Sequence, residues 1–293
     1  MTRRPRALVI GDVMIDIAAV LEGPIAIGSD RRARISQGPG GSAATQAVWL
    51  AREGIGVDFV GRVGARDHAA QSEVLRRAGV DPHLAADDAR ETGRLVAIVD
   101  PSGERSFLTD RGANDGLQPE DIPDELIARA DHIHLSAYSF FAPSSREAAR
   151  SAMRRAGGRP VSVDPASAEF LREVGATAFR EWTEGAAMLF PNAEEAAVLA
   201  ETDDPEAQIE RLGEVYPLVV IKRGSAGCEA GRGAERWRVS APRVRVVDTT
   251  GAGDAFVAAF LAAHLRGQGV EEGLRRAVAA GSAAATFVGG RPV

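Results

Sequence analysis

Short apolar runs alternate with amphipathic stretches almost from one end of this chain to the other, and that rhythm limits the folds open to it. Arg6–Ile10 reads as a buried strand and Ser42–Arg52 as a helix ending near Gly54; residues 57–60 and 67–78 repeat the pair, with Gly79 stopping the second helix. Further strands are predicted at 132–135, 160–163, 188–190 and 218–221, with helices at 145–156, Ala193–Ala200 and 205–215. Two Ala-rich helical stretches, 253–265 and 270–287, close the chain. Strand–helix alternation on this scale predicts a three-layer α/β/α domain, with helices on both faces of a mostly parallel sheet.

Two segments break the rhythm. Met14–Leu21 and residues 31–36 have no helix between them, and 93–100 and Arg105–Asp110 flank the turn formers Pro101-Ser102-Gly103-Glu104. These are expected to be two hairpin-like insertions that combine into a small separate sheet, a lid over a site at the strand ends. The expected division is an α/β domain from 1–13, 37–91 and 112–293, with a β lid from 14–36 and 92–111.

Composition narrows the function classes. Lys+Arg number 35 against 41 Asp+Glu, a formal charge of −6, and no basic tail supplies the footprint that nucleic-acid binding needs. One cysteine, Cys228, excludes an intramolecular disulfide and a cysteine-based zinc cluster, and reads as a small buried hydrophobe. Arg3, Arg4 and Arg6 before an apolar run superficially resemble a signal peptide, but Asp12 and Asp16 interrupt that run. No stretch approaches the roughly 18 apolar residues of a membrane span, so a soluble, cytoplasmic protein is expected. Lys222 is the only lysine and is followed by Arg223, which rules out the Gly-Lys-Ser/Thr of a Walker-type phosphate loop.

Two glycine-rich segments could carry chemistry. Asp248-Thr249-Thr250-Gly251-Ala252-Gly253-Asp254 follows the strand-like 244–247 and opens a helix. Small residues there let backbone amides converge on an anion at a helix N-terminus, with Asp254 in reach as a general base. The same pattern also reads as a Gly-rich helix entry with Asp254 satisfying the dipole. Gly38-Pro39-Gly40-Gly41-Ser42 enters the 42–52 helix, which suits either close ligand approach or simple packing. It lacks the G-x-G-x-x-G spacing of a dinucleotide fold.

In combination these segments resemble the ribokinase-like (PfkB-type) family of sugar and nucleoside kinases, over nearly the whole chain. Asp248–Phe256 resembles the family's C-terminal signature and Gly40-Gly41 its N-terminal one. Gly61-Arg62-Val63-Gly64 with Asp67, Thr92-Gly93, Gly112-Ala113-Asn114 and Pro191-Asn192-Ala193-Glu194-Glu195 follow in family order. The resemblance implies an ATP- and Mg²⁺-dependent phosphotransferase acting on a hydroxyl of a small sugar. It makes Asp254 the base and the amides of Gly251, Ala252 and Gly253 the anion hole. Asn192 and Glu195 match an Asn-x-x-Glu motif that organises Mg²⁺ and phosphate through water, Glu195 otherwise reading as a helix-start carboxylate.

On the acceptor side the resemblance assigns Asp16 to sugar hydroxyls and Gly41 to substrate contact, with Asp12, Gly40, Thr45, Asn114 and Tyr138 around them, Asn114 otherwise reading as a residue that only shapes the turn after the second lid hairpin. Strand alternation puts Asp12, Met14 and Asp16 on one face, and exposure at a strand end suits Asp12 better than Asp16. Thr45 stands where many relatives carry Asn, and Tyr138 about where ribokinase has Glu, so the acceptor is left open. The nucleotide is expected near Lys222, Gly224, Gly227, Thr249 and Gly281, although a solvated Lys222 reads equally well. A monovalent cation, usually K⁺, is allowed at the carbonyls of Asp248 and Thr250. Relatives often dimerise through the lid sheets, which Val96, Ile98 and Val99 would permit, although these residues read equally well as packing on the main domain.

His132 and His134 read as a satisfied strand pair rather than metal ligands, and Arg31–Arg34 as solvated surface. Two other activities stay open: a nucleoside kinase of the same family, with Phe107 and Tyr138 as a wall for the base, and a catalytically silent ligand-binding regulator.

Overall fold

The computed structural model describes residues 3–102 and 104–291, so Gly103 of the expected 101–104 turn lies outside the described residues. The strands in chain order are β1 (Arg6–Ile10), β2 (Met14–Leu21), β3 (Ala33–Gly40), β4 (Gly56–Gly64), β5 (Asp81–Asp87), β6 (Gly93–Val99) and β7 (Arg105–Asp110). They continue as β8 (His132–Ser136), β9 (Val161–Asp164), β10 (Met188–Leu189), β11 (Leu218–Lys222), β12 (Cys228–Arg232) and β13 (Glu235–Val239). Nine form one sheet in the order β13-β12-β11-β10-β9-β8-β1-β4-β5, and four form a second in the order β3-β2-β6-β7. From β11 to β5 every pairing in the large sheet is parallel, and only the β11–β12 and β12–β13 pairings are antiparallel.

The period-two alternation of β1 explains the layers. Ala7 and Val9 enter one apolar cluster, with helices Ser42–Arg52, Ala252–Leu265 and Val270–Ala284. Leu8 and Ile10 enter another on the opposite face, with helices Pro143–Arg155, Ala193–Ala200 and Pro205–Gly213. Helix Ala252–Leu265 is apolar on all sides and buried from Ala255 to Ala263, because it packs against Val270–Ala284 as well as the core.

The two insertions do form the separate four-stranded sheet, with antiparallel β2–β3 and β6–β7 pairs joined by a parallel β2–β6 pairing. Ile35, Phe107 and Leu108 on it are exposed. Three strands of the large sheet, β5, β12 and β13, are absent from the elements expected on apolar pattern. β5 begins Asp-Pro and lies at a sheet edge, where a missing amide is tolerated, and β12–β13 is a short, charged edge hairpin. The expected strand at 244–247 is irregular chain. Val244, Val246 and Val247 are exposed, and the Val247 amide donates to the carbonyl of Ala285 rather than to a strand (2.8 Å). Among the described residues no helix is long and apolar enough to cross a membrane.

Candidate active site

The parallel strands end carboxyl-first on one side of the sheet, the position where α/β folds place their ligands. Just beyond β1, Asp12 is 2% exposed, so the expectation that it would be the exposed member of the pair fails. Its carboxylate accepts the amides of Ser42 and Ala43 (both 3.1 Å), closing the N-terminus of helix Ser42–Arg52, and also meets Arg111 (3.4 Å). Gly41 caps that helix at φ +93°, and a Cβ there would overlap the Asp12 carbonyl. Asp16 faces the same space and is pushed up to about 6 by burial, with Arg291 pulling the other way. Arg291 donates to the Gly40 carbonyl (2.8 Å) and Thr45 Oγ1 (3.4 Å), and burial brings its own pKa down to about 10. The Arg111 guanidinium lies 4.4 Å from the centroid of the Tyr138 ring.

These residues border a cavity of about 220 Å³ lined by Asp12, Asp16, Gly41, Thr45, Tyr138 and Asp254, among others. A second cavity, about 570 Å³, is lined by Lys222, Gly224, Gly227, Thr249, Phe256 and Gly281, with Val244 and Val246 on its wall. The start of helix Ala252–Leu265 divides the two. Gly251 and Asp254 line the smaller cavity, while Ala252 and Gly253 line the larger. Gly251 supplies the left-handed turn at φ +73° and packs directly on Gly290. The Ala252 amide donates to the Thr249 carbonyl (3.2 Å).

Asp254 accepts a hydrogen bond from the Ser42 hydroxyl (2.7 Å). Burial pushes its carboxyl up to about 7, against the pull of Ser42 and Lys222. Behind it, Lys222 Nζ donates to both oxygens of Asp164 (3.1 Å each), so the solvated reading of this lysine is wrong. Burial pulls the Lys222 pKa down, but Asp164 and Glu195 more than offset this and leave it raised. Asp164 also accepts from Gln46 (2.8 Å), and Gln46 meets His134, which shares Ser162 with His132. Both histidines are fully buried and uncharged in character, held far down by desolvation. His134 is satisfied at both nitrogens, whereas Nδ1 of His132 has no partner among the described residues.

Asn192 and Glu195 form a reciprocal cap at the start of helix Ala193–Ala200 (2.7–2.9 Å), and burial raises the Glu195 pKa. Asp248 accepts the amides of Thr250 (2.8 Å) and Gly289 (3.1 Å), tying this turn to the C-terminal segment. Asn114 spends its amide on the backbone of Val13 and Arg111 and does not line either cavity. Cys228 is buried, as expected.

Five contributors are not among the residues expected from sequence: Ser42, Gln46, Arg111, Asp164 and Arg291. Ser42 and Gln46 are four apart, so both fall on one helix face just after the glycine pair, and that spacing is a usable signal. Nothing local marks Arg111 or Arg291, which reach the pocket only through tertiary folding.

The sequence profile of pfkB family carbohydrate kinases matches residues 4–292. The chain is 33% identical over 259 residues to the ATP-dependent ribose-1-phosphate kinase of Halopiger xanaduensis, covering 87% of this chain and 83% of that one. It is 33% identical over 279 residues to a fructokinase of Klebsiella pneumoniae, covering 91% and 86%. The solved adenosine kinase of Sinorhizobium meliloti superposes with a TM-score of 0.90 at 27% identity, covering 99% of this chain and 97% of that one. A family match over nearly the full length, joined to a ribokinase-like fold, decides the classification: this chain belongs to the pfkB family of carbohydrate kinases, and it is a phosphotransferase of the sugar and nucleoside kinase type.

Proposed function

We propose that the protein transfers the γ-phosphoryl group of ATP to a hydroxyl of a small sugar or sugar derivative. The observation that carries this reading is the helix start at Gly251–Asp254, which faces the larger cavity with Ala252 and Gly253 and the smaller with Asp254. A donor bound in one and an acceptor in the other would meet at a helix N-terminus, where developing negative charge is stabilised.

Asp254 takes the proton of the acceptor hydroxyl, and a carboxyl near 7 suits that task at neutral pH. The Gly251–Gly253 turn and Lys222 stabilise the phosphoryl oxygens. Asp16 grips the acceptor's other hydroxyls beside Gly41, Thr45 and Tyr138, while Asp12 is committed to the helix amides and Arg111. Asp164 and Glu195 both act on the ammonium of Lys222, and among the described residues no three His, Cys, Asp or Glu side chains lie close enough to hold an ion directly, which leaves a water-mediated site with ATP. Mg²⁺ bound with ATP would supply charge neutralisation for the transferred group. Asn192, Glu195 and Asp164 would hold it through water. The four-stranded sheet acts as a lid that excludes water when the acceptor is bound.

The acceptor cavity, at about 220 Å³, lies below the several hundred Å³ usual for larger ligands, which favours a monosaccharide over a nucleoside. A base stacked on Tyr138 would also have to displace Arg111. The test is ADP release from Mg-ATP across sugars, sugar phosphates, sugar acids and nucleosides, with and without K⁺. One acceptor giving an Asp254-dependent signal is expected; near-normal turnover by Asp254→Asn would remove the base assignment.

A further inference from the structure

We infer that Ser42 is a positioning residue for the base, its hydroxyl holding one oxygen of the Asp254 carboxylate and leaving the other to receive the acceptor's proton. This rests on the proposed role of Asp254 and adds to it a residue from the opposite wall of the acceptor cavity. The Ser42 hydroxyl lies 2.7 Å from Oδ1 of Asp254, and it makes the only side-chain hydrogen bond to Asp254 among the described residues.

The element that carries Ser42 is braced. Asp12 takes the Ser42 and Ala43 amides on its carboxylate and the Ala44 amide on its carbonyl (3.3 Å), and Arg111 holds Asp12 from the other side. One helical turn on, Gln46 is tied to Asp164. The hydroxyl is therefore delivered by a helix start that is fixed at both levels, rather than by a loose surface serine. A buried carboxylate given a single neutral donor has one oxygen oriented and the other available, which is what a base needs.

The charges around Asp254 set the direction of the effect. Asp164 behind it and Asp12 across the cavity disfavour its ionised form, while Lys222 from β11 and Arg291 from the C-terminal segment favour it. The Ser42 hydroxyl adds to the favourable side as a hydrogen bond to the charged oxygen. Its removal leaves every other group in place and raises the pKa of the base.

The experiment is the pH profile of kcat/KM with Mg-ATP for the native enzyme, Ser42→Ala, Ser42→Thr and Asp254→Asn, using the best acceptor from the panel. The acid limb of Ser42→Ala is expected to move up by about one pH unit, giving about a tenfold loss below it and recovery toward the native rate at high pH. Ser42→Thr, which keeps the hydroxyl, retains the native limb. A loss that is equal at every pH, or no change at all, overturns the proposal. Titration of the Asp254 carboxyl carbon by NMR, assigned by difference from Asp254→Asn, tests the same role without an acceptor: an unmoved midpoint in Ser42→Ala refutes it. High turnover by Asp254→Asn would instead refute the base itself, whatever Ser42→Ala does.

Discussion

The Cα of Gly40 packs against the carboxylate of Asp16 so closely that a Cβ at position 40 would overlap all three of its terminal atoms. The two residues are diagonal neighbours across the β2–β3 pair, where Asp16 sits opposite Gly38 and Met14 opposite Gly40. Gly40→Ala therefore displaces the side chain proposed to hold the acceptor. Its expected signature is an acceptor KM raised about tenfold or more, with ATP binding unchanged, because the lost contact is made equally in ground and transition states. Steady-state kinetics with each substrate varied in turn checks this; an equal rise in both KM values would show a wider collapse.

Asp254→Asn is expected to abolish turnover while making the protein more stable at alkaline pH. The folded carboxyl is raised to about 7, so between the unfolded value near 3.8 and 7 the folded state binds more protons. Stability contributed by this group is thus present at low pH and is lost as pH rises through that window, by about 4 kcal/mol in all. The Asn variant carries no such penalty. Its Tm should match the native protein near pH 4 and exceed it at pH 8, measured by calorimetry across that range.

The Lys222–Asp164 pair is a buried ion pair with both side chains largely covered (14% and 5% exposed). Lys222→Met leaves Asp164 and Glu195 without their counter-charge and should cost about 3–5 kcal/mol of stability. Adding Asp164→Asn should return much of that loss in a denaturant titration. It should not return activity, because the phosphoryl oxygens still lack the ammonium. Recovery of turnover in the double variant would place Lys222 outside the reaction.

The walls of the larger cavity include Phe256, Val278, Ala285, Val244 and Val246, with the hydroxyls of Ser225, Thr249 and Ser282 and the cations Lys222 and Arg243, and among the described residues no amide or carboxylate side chain lines it. Hydroxyls can donate or accept, so such a pocket selects a base mainly by shape and rejects close analogues weakly. GTP is therefore expected to replace ATP with a kcat/KM within about a hundredfold. Filling the pocket with Gly281→Leu should raise the KM for both nucleotides, since a Cβ at 281 already lies 3.0 Å from the Ala252 carbonyl. A far larger preference for ATP would mean that backbone groups read the adenine edge.

The layered sheet is legible in the sequence because each buried strand and helix carries its own period. β1, helix Ser42–Arg52 and helix Ala193–Ala200 lie where their apolar spacing places them. Three strands are not legible: β5 and β13 lie at the sheet edges, and β12 buries only the small side chains of Cys228 and Ala230, so all three leave little pattern. Residues 244–247 alternate like a strand, yet no neighbouring edge takes them, and they wall a cavity instead.

Around the candidate site, the small-residue helix entry at Gly251–Asp254, the glycine pair and a lone lysine at a strand end are already legible in the linear chain, because local backbone demands are written into adjacent residues. Which side chains meet is settled by folding alone. Ser42 reaches Asp254 across 212 positions of chain, and Arg291 reaches the Gly40 carbonyl across 251. Burial then set the chemistry: the same carboxyl that would titrate near 4 in water is raised to about 7 at Asp254, and a pKa depends on the dielectric and charges that the fold assembles around it.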